Sequence, residues 1–129
     1  MRSLDIETFD NALNDAQGLV LVDFWAPWCG PCRVITPLLE SIETHYEEEA
    51  IDFYKVNVEE NSVLLQAFKL SSIPAVLLLK PHDEGAKVVG ALIGANPVDV
   101  YLKWIDNHLH PKPSLFSKIT SFFTRSKTS

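Results

Sequence analysis

Short apolar blocks alternate with segments of helical periodicity along most of the chain, a pattern that predicts an α/β fold. Residues 19–25 form a nearly continuous apolar run, as expected of a strand that is covered on both faces. Strands are predicted at residues 4–6, 19–25, 51–58, 75–80 and 87–93. Helices are predicted at residues 7–15, 32–49, 61–68 and 97–109, with Asn61 as the N-cap of the third.

The pattern changes near residue 110, so we predict a domain over residues 1–109 and an extension over residues 110–129. Apolar residues of the extension fall at helical spacing and predict one stripe on a basic amphipathic helix. The stripe consists of Leu115, Phe116, Ile119, Phe122 and Phe123. Such a helix suits peripheral contact with a membrane or a partner protein. Packing against the domain and disorder are the alternatives.

Composition and charge narrow the class of protein. The 129 residues are 47% hydrophobic and carry a net charge of −6, which argues against a nucleic-acid binder that neutralises phosphates. The charge is uneven, because residues 1–109 sum to −10 and residues 110–129 to +4. No apolar segment resembles a signal peptide or reaches the roughly 20 residues of a membrane span. We therefore expect a cytoplasmic location.

The two cysteines, Cys29 and Cys32, lie between the apolar strand and the start of a helix. A Cys-x-x-Cys motif in this context is typical of a redox dithiol. Unpaired N–H groups and the helix dipole favour the thiolate form of Cys29, which attacks disulfides, and Cys32 is close enough to resolve the mixed disulfide. A zinc site is disfavoured because His45 is the only nearby further ligand, so we expect no metal. Two inert buried cysteines are the other alternative.

The segment at residues 22–32, VDFWAPWCGPC, followed by Pro37, resembles the thioredoxin family. The resemblance continues through residues 55–58, 72–74 and 94–95, and so spans about four-fifths of the chain. It implies a thioredoxin fold, with a central mixed sheet of about five strands flanked by helices, and an enzyme that reduces protein disulfides. Disulfide-containing proteins would be the substrates, an NADPH-dependent thioredoxin reductase would regenerate the dithiol, and the chain itself would need no cofactor.

The resemblance also implies which residues assist the cysteines. Asp23 matches a buried aspartate of the family, and desolvation on its apolar strand should raise its pKa so that it exchanges a proton with Cys32. Lys55 matches a lysine that lies near this aspartate. An ion pair between Asp23 and Lys55 is the alternative interpretation.

A substrate-binding surface follows from the same comparison. Pro74 matches the family's cis-proline, and the backbone of Ile73 would bind an extended substrate segment. The remaining predicted substrate-binding residues are Trp28, Gly30, Pro31, Gly94 and Ala95.

Two further functions remain open at this point. The same dithiol chemistry would serve an oxidant or isomerase, for which the reduction potential is the discriminating measurement. Alternatively, the domain would be a binding scaffold that is anchored by its extension.

His108 and His110, which flank the end of the domain, are predicted to be surface residues rather than metal ligands.

Overall fold

The computed structural model describes residues 1–83 and 85–111. These residues form five strands, β1 (Arg2–Ser3), β2 (Leu19–Trp25), β3 (Ile51–Asn57), β4 (Ala75–His82) and β5 (Gly85–Ile93). They also form four helices, α1 (Phe9–Asp15), α2 (Cys32–His45), α3 (Ser62–Ala67) and α4 (Val98–Leu109). The predicted apolar stripe at residues 115–123 lies outside the described residues.

The strands form one mixed sheet in the order β1-β3-β2-β4-β5. β1, β3 and β2 are parallel, whereas β4 runs antiparallel to β2 and β5 antiparallel to β4. This arrangement confirms the predicted α/β fold with a mixed sheet of about five strands. β2 lies in the middle of the sheet, so its hydrogen-bonding groups are paired on both edges.

Helices cover both faces of the sheet, which explains why β2 is apolar almost throughout. Alternate residues of β2 belong to two separate cores, Val20 on one face and Leu21 on the other. Residues of α1 and α3 pack in the first core, and residues of α2 and α4 pack in the second. Asp23 belongs to the same strand and is fully buried.

Two elements have a boundary that differs from the prediction by more than two residues, whereas the others agree within two. The first strand comprises residues 2–3 instead of 4–6, because the Asp5 side chain accepts hydrogen bonds from the backbone of Glu7 and Thr8 and turns the chain. α2 ends at His45 and not near residue 49. The helix closes there with a tighter turn, in which the Tyr46 N–H donates to the Glu43 carbonyl, and the buried Tyr46 side chain donates a 2.6 Å hydrogen bond to Asp106 Oδ1 on α4.

Asn61 precedes α3 as predicted, but its side chain does not cap the helix. Its Oδ1 accepts a 3.2 Å hydrogen bond from the Ile6 backbone, and its Nδ2 donates a 3.0 Å bond to the Asn57 carbonyl. The side chain therefore ties the segment after β1 to the end of β3. The predicted N-cap position is confirmed, but the side chain makes no capping bond because a distant backbone group occupies its oxygen.

Two histidines at the end of α4 contact other elements of the fold. His108 is half-buried, and its Nδ1 and Nε2 lie 2.8 Å and 3.1 Å from the carbonyls of Trp104 and Val89. It is therefore not the surface residue predicted from the sequence. Gly90 of β5 permits this packing, since a Cβ there would lie 2.9 Å from the Trp104 ring nitrogen. The next histidine, His110, is exposed, and its Nε2 lies 3.4 Å from Glu49 Oε2.

No helix within the described ranges is long and apolar enough to cross a membrane. Across the same residues, no group of three or more histidine, cysteine or acidic side chains is arranged to hold a metal ion.

Candidate active site

Cys29 and Cys32 form a disulfide at the point where the loop after β2 enters α2. Both are buried, with exposed fractions of 5% and 2%. The backbone N–H of Cys32 donates to Cys29 Sγ at 3.3 Å. A donor at this position stabilises negative charge on the Cys29 sulfur once the pair is reduced, as expected for a thiolate at a helix start.

Gly30 and Pro31 shape the turn that brings the two sulfurs together. Pro31 has a φ of −61°, which already suits the first turn of a helix. Its carbonyl and that of Gly30 accept hydrogen bonds from Val34 and Arg33, so the helical ladder begins inside the motif. The loop residue Trp28 is 66% exposed beside Cys29. The backbone of the motif is therefore held by helical hydrogen bonds, and the exposed Trp28 ring lies next to it in the chain.

Asp23 lies in the apolar interior with only one hydrogen-bond partner for its carboxyl group. Thr36 Oγ1 donates a 2.6 Å bond to Asp23 Oδ2, while Oδ1 has no partner among residues 1–83 and 85–111. Burial raises the pKa of Asp23 to about 6, against the lowering effects of the Thr36 bond and the Lys55 charge. The raised pKa agrees with the expectation from sequence and places the titration of this carboxyl near neutrality.

Lys55 does not form an ion pair with Asp23, so that alternative was wrong. Its Nζ lies 3.8 Å from Glu40 Oε1 and 5.9 Å from the centre of the Trp25 ring. The reason is burial, because the Asp23 carboxyl is fully enclosed while the half-buried Lys55 reaches the exposed Glu40 at the surface. Lys55 thus acts on Asp23 through its charge, without a direct bond.

A cavity of about 270 Å³ lies beside Cys32. Its lining consists of Trp25, Ala26, Pro27, Cys32, Arg33, Thr36, Pro37 and Lys55. A larger cavity, of about 680 Å³, lies at the β1–β3 edge and contains none of the predicted site residues. The smaller cavity is the one that bears on the chemistry, since Cys32 of the disulfide lines it.

The predicted substrate-binding residues fall into two groups, which the structure places at one end of the sheet. The Ile73–Pro74 peptide bond is cis, and the Pro74 carbonyl accepts a 2.8 Å hydrogen bond from Gly94. Gly94 has a φ of +83°, which favours glycine, and Ala95 after it is exposed. Ile73 packs against the apolar cluster that includes both cysteines.

Sequence reasoning missed Thr36, which is the direct partner of Asp23. A signal was available, because Thr36 follows Cys32 by four residues and so lies on the same face of α2. Helical spacing alone does not reveal that the hydroxyl meets a carboxyl from another strand.

Comparison with known proteins supports this geometry, because the family model for thioredoxin matches residues 1–106. The chain belongs to the thioredoxin family. It is a protein-disulfide oxidoreductase whose redox-active pair is Cys29 and Cys32.

Individual thioredoxins show the same relationship. The thioredoxin of Chlorobaculum thiosulfatiphilum is 40% identical over 103 residues, which cover 80% of this chain and 91% of that protein. The thioredoxin of Chlamydia pneumoniae is 43% identical over 90 residues, covering 70% and 84% of the two chains. The solved structure of Trichomonas vaginalis thioredoxin matches with a TM-score of 0.69 at 32% identity, covering 80% of this chain and 93% of that one.

Proposed function

We propose that this thioredoxin reduces disulfides of other proteins in two exchange steps. The Cys29 thiolate attacks one sulfur of the substrate disulfide and forms a mixed disulfide, while the other substrate sulfur leaves and takes up a proton. The Cys32 thiolate then attacks Cys29 Sγ, which forms the Cys29–Cys32 disulfide and releases the second substrate sulfur. Two electrons pass from the dithiol to the substrate. The Cys29–Cys32 disulfide at the start of α2 is the observation that carries this proposal.

The position of each cysteine supports this assignment of steps. Cys29 lies in the loop next to the exposed Trp28, whereas Cys32 is the first residue of α2 and is only 2% exposed. A substrate approaching from solvent therefore meets Cys29 first. Cys32 is suited to the intramolecular step, for which no access from outside is needed.

Asp23 is the proposed proton acceptor for Cys32. Its raised pKa of about 6 keeps the carboxyl ionised at neutral pH while making it a stronger base than an ordinary aspartate. Lys55 favours the ionised form through its charge. Together these two residues assist formation of the Cys32 thiolate when the mixed disulfide has to be resolved.

Substrate binding is assigned to the surface around the cysteines. The backbone N–H and carbonyl of Ile73 make no backbone hydrogen bond within the described ranges, so both are available to an extended peptide. Trp28, Gly30 and Pro31, from the loop after β2, are proposed to contact the same substrate segment. Gly94, whose N–H bonds to the Pro74 carbonyl, and the adjacent Ala95 are proposed to complete this surface.

The proposed partners are disulfide-containing proteins and an NADPH-dependent thioredoxin reductase, and the proposed location is the cytoplasm. A dithiol that donates electrons needs a reductase to restore it after each cycle. A reducing compartment is the setting in which such a donor works.

A Cys32→Ser variant tests the order of the two steps. It should form the Cys29–substrate mixed disulfide and hold it, because serine does not attack Cys29 Sγ. The measurement is mass spectrometry of the reduced variant incubated with insulin or a cell extract, with a reducible adduct as the expected product. Cys29→Ser is the matched control and should form no adduct through position 32. Equal trapping by both variants would contradict the assignment.

We also propose that the catalytic domain ends near residue 109 and that residues 110–129 are dispensable for the chemistry. The family match ends at residue 106 and α4 ends at Leu109, which supports this boundary. Truncation after His110 should leave insulin reduction within about two-fold of the full chain, because it removes no residue of the family match or of the nine described helices and strands. A loss of ten-fold or more, with the fold intact by circular dichroism, would show that the extension takes part in the reaction.

A further inference from the structure

The buried carboxyl of Asp23 contacts a hydroxyl group that has no part in the exchange steps above. Thr36 lies one turn after Cys32 on α2, and its Oγ1 donates to Asp23 Oδ2 at 2.6 Å. Asp23 is fully buried and does not line the cavity beside Cys32, whereas Thr36 does. Thr36 therefore contacts the buried carboxyl and also lines the cavity.

A hydroxyl group both donates and accepts hydrogen bonds, so it is able to pass a proton on without a change in its own charge. The Thr36 hydroxyl donates to Asp23 when the carboxyl is ionised. After Asp23 takes up a proton, the carboxyl becomes the donor and the hydroxyl turns toward the cavity. We propose that the Thr36 hydroxyl positions Asp23 and relays a proton between its carboxyl and a water molecule in the cavity beside Cys32.

The relay rests on the proposed role of Asp23 as proton acceptor. It describes the path that the proton takes from the Cys32 thiol to the Asp23 carboxyl. The Cys32 thiol gives its proton to the water, the water gives one of its own protons to Thr36 Oγ1, and Thr36 gives its hydroxyl proton to Asp23 Oδ2. The net change is one thiolate and one carboxylic acid, with the water and Thr36 restored. The thiolate then attacks Cys29 Sγ, and the bond between Cys29 and the substrate sulfur breaks.

Other charged groups act on Asp23 only at a distance. Lys55 from β3 favours the ionised carboxyl and Glu40 from α2 opposes it. Tyr101 from α4 is close enough that the Asp23 charge contributes to raising its pKa. Thr36 is the only direct hydrogen-bond donor to the carboxyl in the described part of the chain. Removing its hydroxyl would leave both carboxyl oxygens without a partner in a buried site.

The test compares Thr36→Val, which keeps the side-chain shape without the hydroxyl, with Thr36→Ser, which keeps the hydroxyl. The first measurement is the titration of Asp23 by carbon NMR of its carboxyl. A hydrogen bond to a charged group is worth enough that its loss should raise the midpoint by about one pH unit or more in Thr36→Val. Thr36→Ser should stay near the native midpoint of about 6.

The second measurement is the lifetime of the mixed disulfide with insulin, followed by acid quench and mass spectrometry across neutral pH. Resolution at pH 7 should slow roughly five- to ten-fold in Thr36→Val and recover in Thr36→Ser, which is less than the roughly 10²- to 10⁴-fold of a complete general base because Asp23 itself remains. In an Asp23→Asn background, Thr36→Val should have no further effect, because there is no carboxylate to receive the proton.

Failure of this inference differs from failure of the proposed role of Asp23. If Thr36→Val resolves the mixed disulfide at the native rate and its Asp23 midpoint is unchanged, while Asp23→Asn resolves it slowly, only the relay is overturned. Equal defects in Thr36→Val and Thr36→Ser would also overturn it, since the hydroxyl would then be irrelevant. If Asp23→Asn resolves the mixed disulfide at the native rate, both the relay and the proposed role of Asp23 are overturned.

Discussion

Replacing Cys29 with serine should abolish reduction of protein disulfides, with a loss of at least about three orders of magnitude, the scale on which loss of an enzyme's nucleophile acts. The N–H of Cys32 and the start of α2 stabilise negative charge on sulfur at this position. A serine hydroxyl stays protonated there at neutral pH and does not attack a disulfide. The remaining Cys32 is 2% exposed and is not placed to meet a substrate.

The measurement for Cys29→Ser is insulin reduction with NADPH and a thioredoxin reductase, followed by NADPH consumption. Cys32→Ser is the matched control, because it removes the other sulfur but keeps the attacking one. In a single turnover, Cys32→Ser should still consume insulin disulfide and release one thiol per molecule, while Cys29→Ser should release none. Sustained turnover by Cys29→Ser would show that Cys32 attacks substrates directly.

Replacing Asp23 with asparagine should stabilise the folded protein at pH 7 by up to about 3 kcal/mol, because the folded-state pKa of about 6 exceeds the ordinary value of 3.8. The folded protein binds more protons than the unfolded chain between these values. Its stability therefore falls as the pH rises from about 4 to about 6, and the penalty persists above that range. Asparagine carries no charge and avoids the penalty.

The measurement for Asp23→Asn is urea unfolding of the oxidised protein at pH 7 and at pH 4. The variant should be more stable at pH 7 and about equal to the native protein at pH 4, where the native carboxyl is largely protonated in the folded state. Asp83→Asn makes the same change at an exposed turn and should shift stability by less than about 0.5 kcal/mol at either pH. A gain of equal size at both values would mean that charge burial is not the cause.

The sequence was sufficient for features that depend on local pattern. The nearly continuous apolar character of residues 19–25 predicted a strand covered on both faces, and the single acid within it predicted a buried carboxyl with a raised pKa. The position of Cys32 at a helix start followed from the periodicity after it. The cis bond before Pro74 had a different origin, since it followed only from the family resemblance.

Features that depend on the choice of a distant partner were not predictable in this way. Lys55 had two carboxylates within reach, and only the folded structure shows that it takes Glu40 at the surface. The end of α2 was misplaced, and the residue that follows it, Tyr46, bonds through its side chain to a helix sixty residues later. Thr36 looks like an ordinary helix residue until Asp23 is placed beside it. Each case turns on a contact between elements far apart in sequence.

The contact between His110 and Glu49 shows where the last described residues lie relative to the disulfide. An attachment made near His110 would hold the protein from that side. Glu49 follows the last turn of α2, while Cys32 begins it, and a helix of 14 residues is about 20 Å long. His110 therefore lies near the end of α2 opposite the disulfide. A solid support or a fusion partner that is attached near His110 would therefore leave the end of the protein that bears the cysteines accessible to substrates.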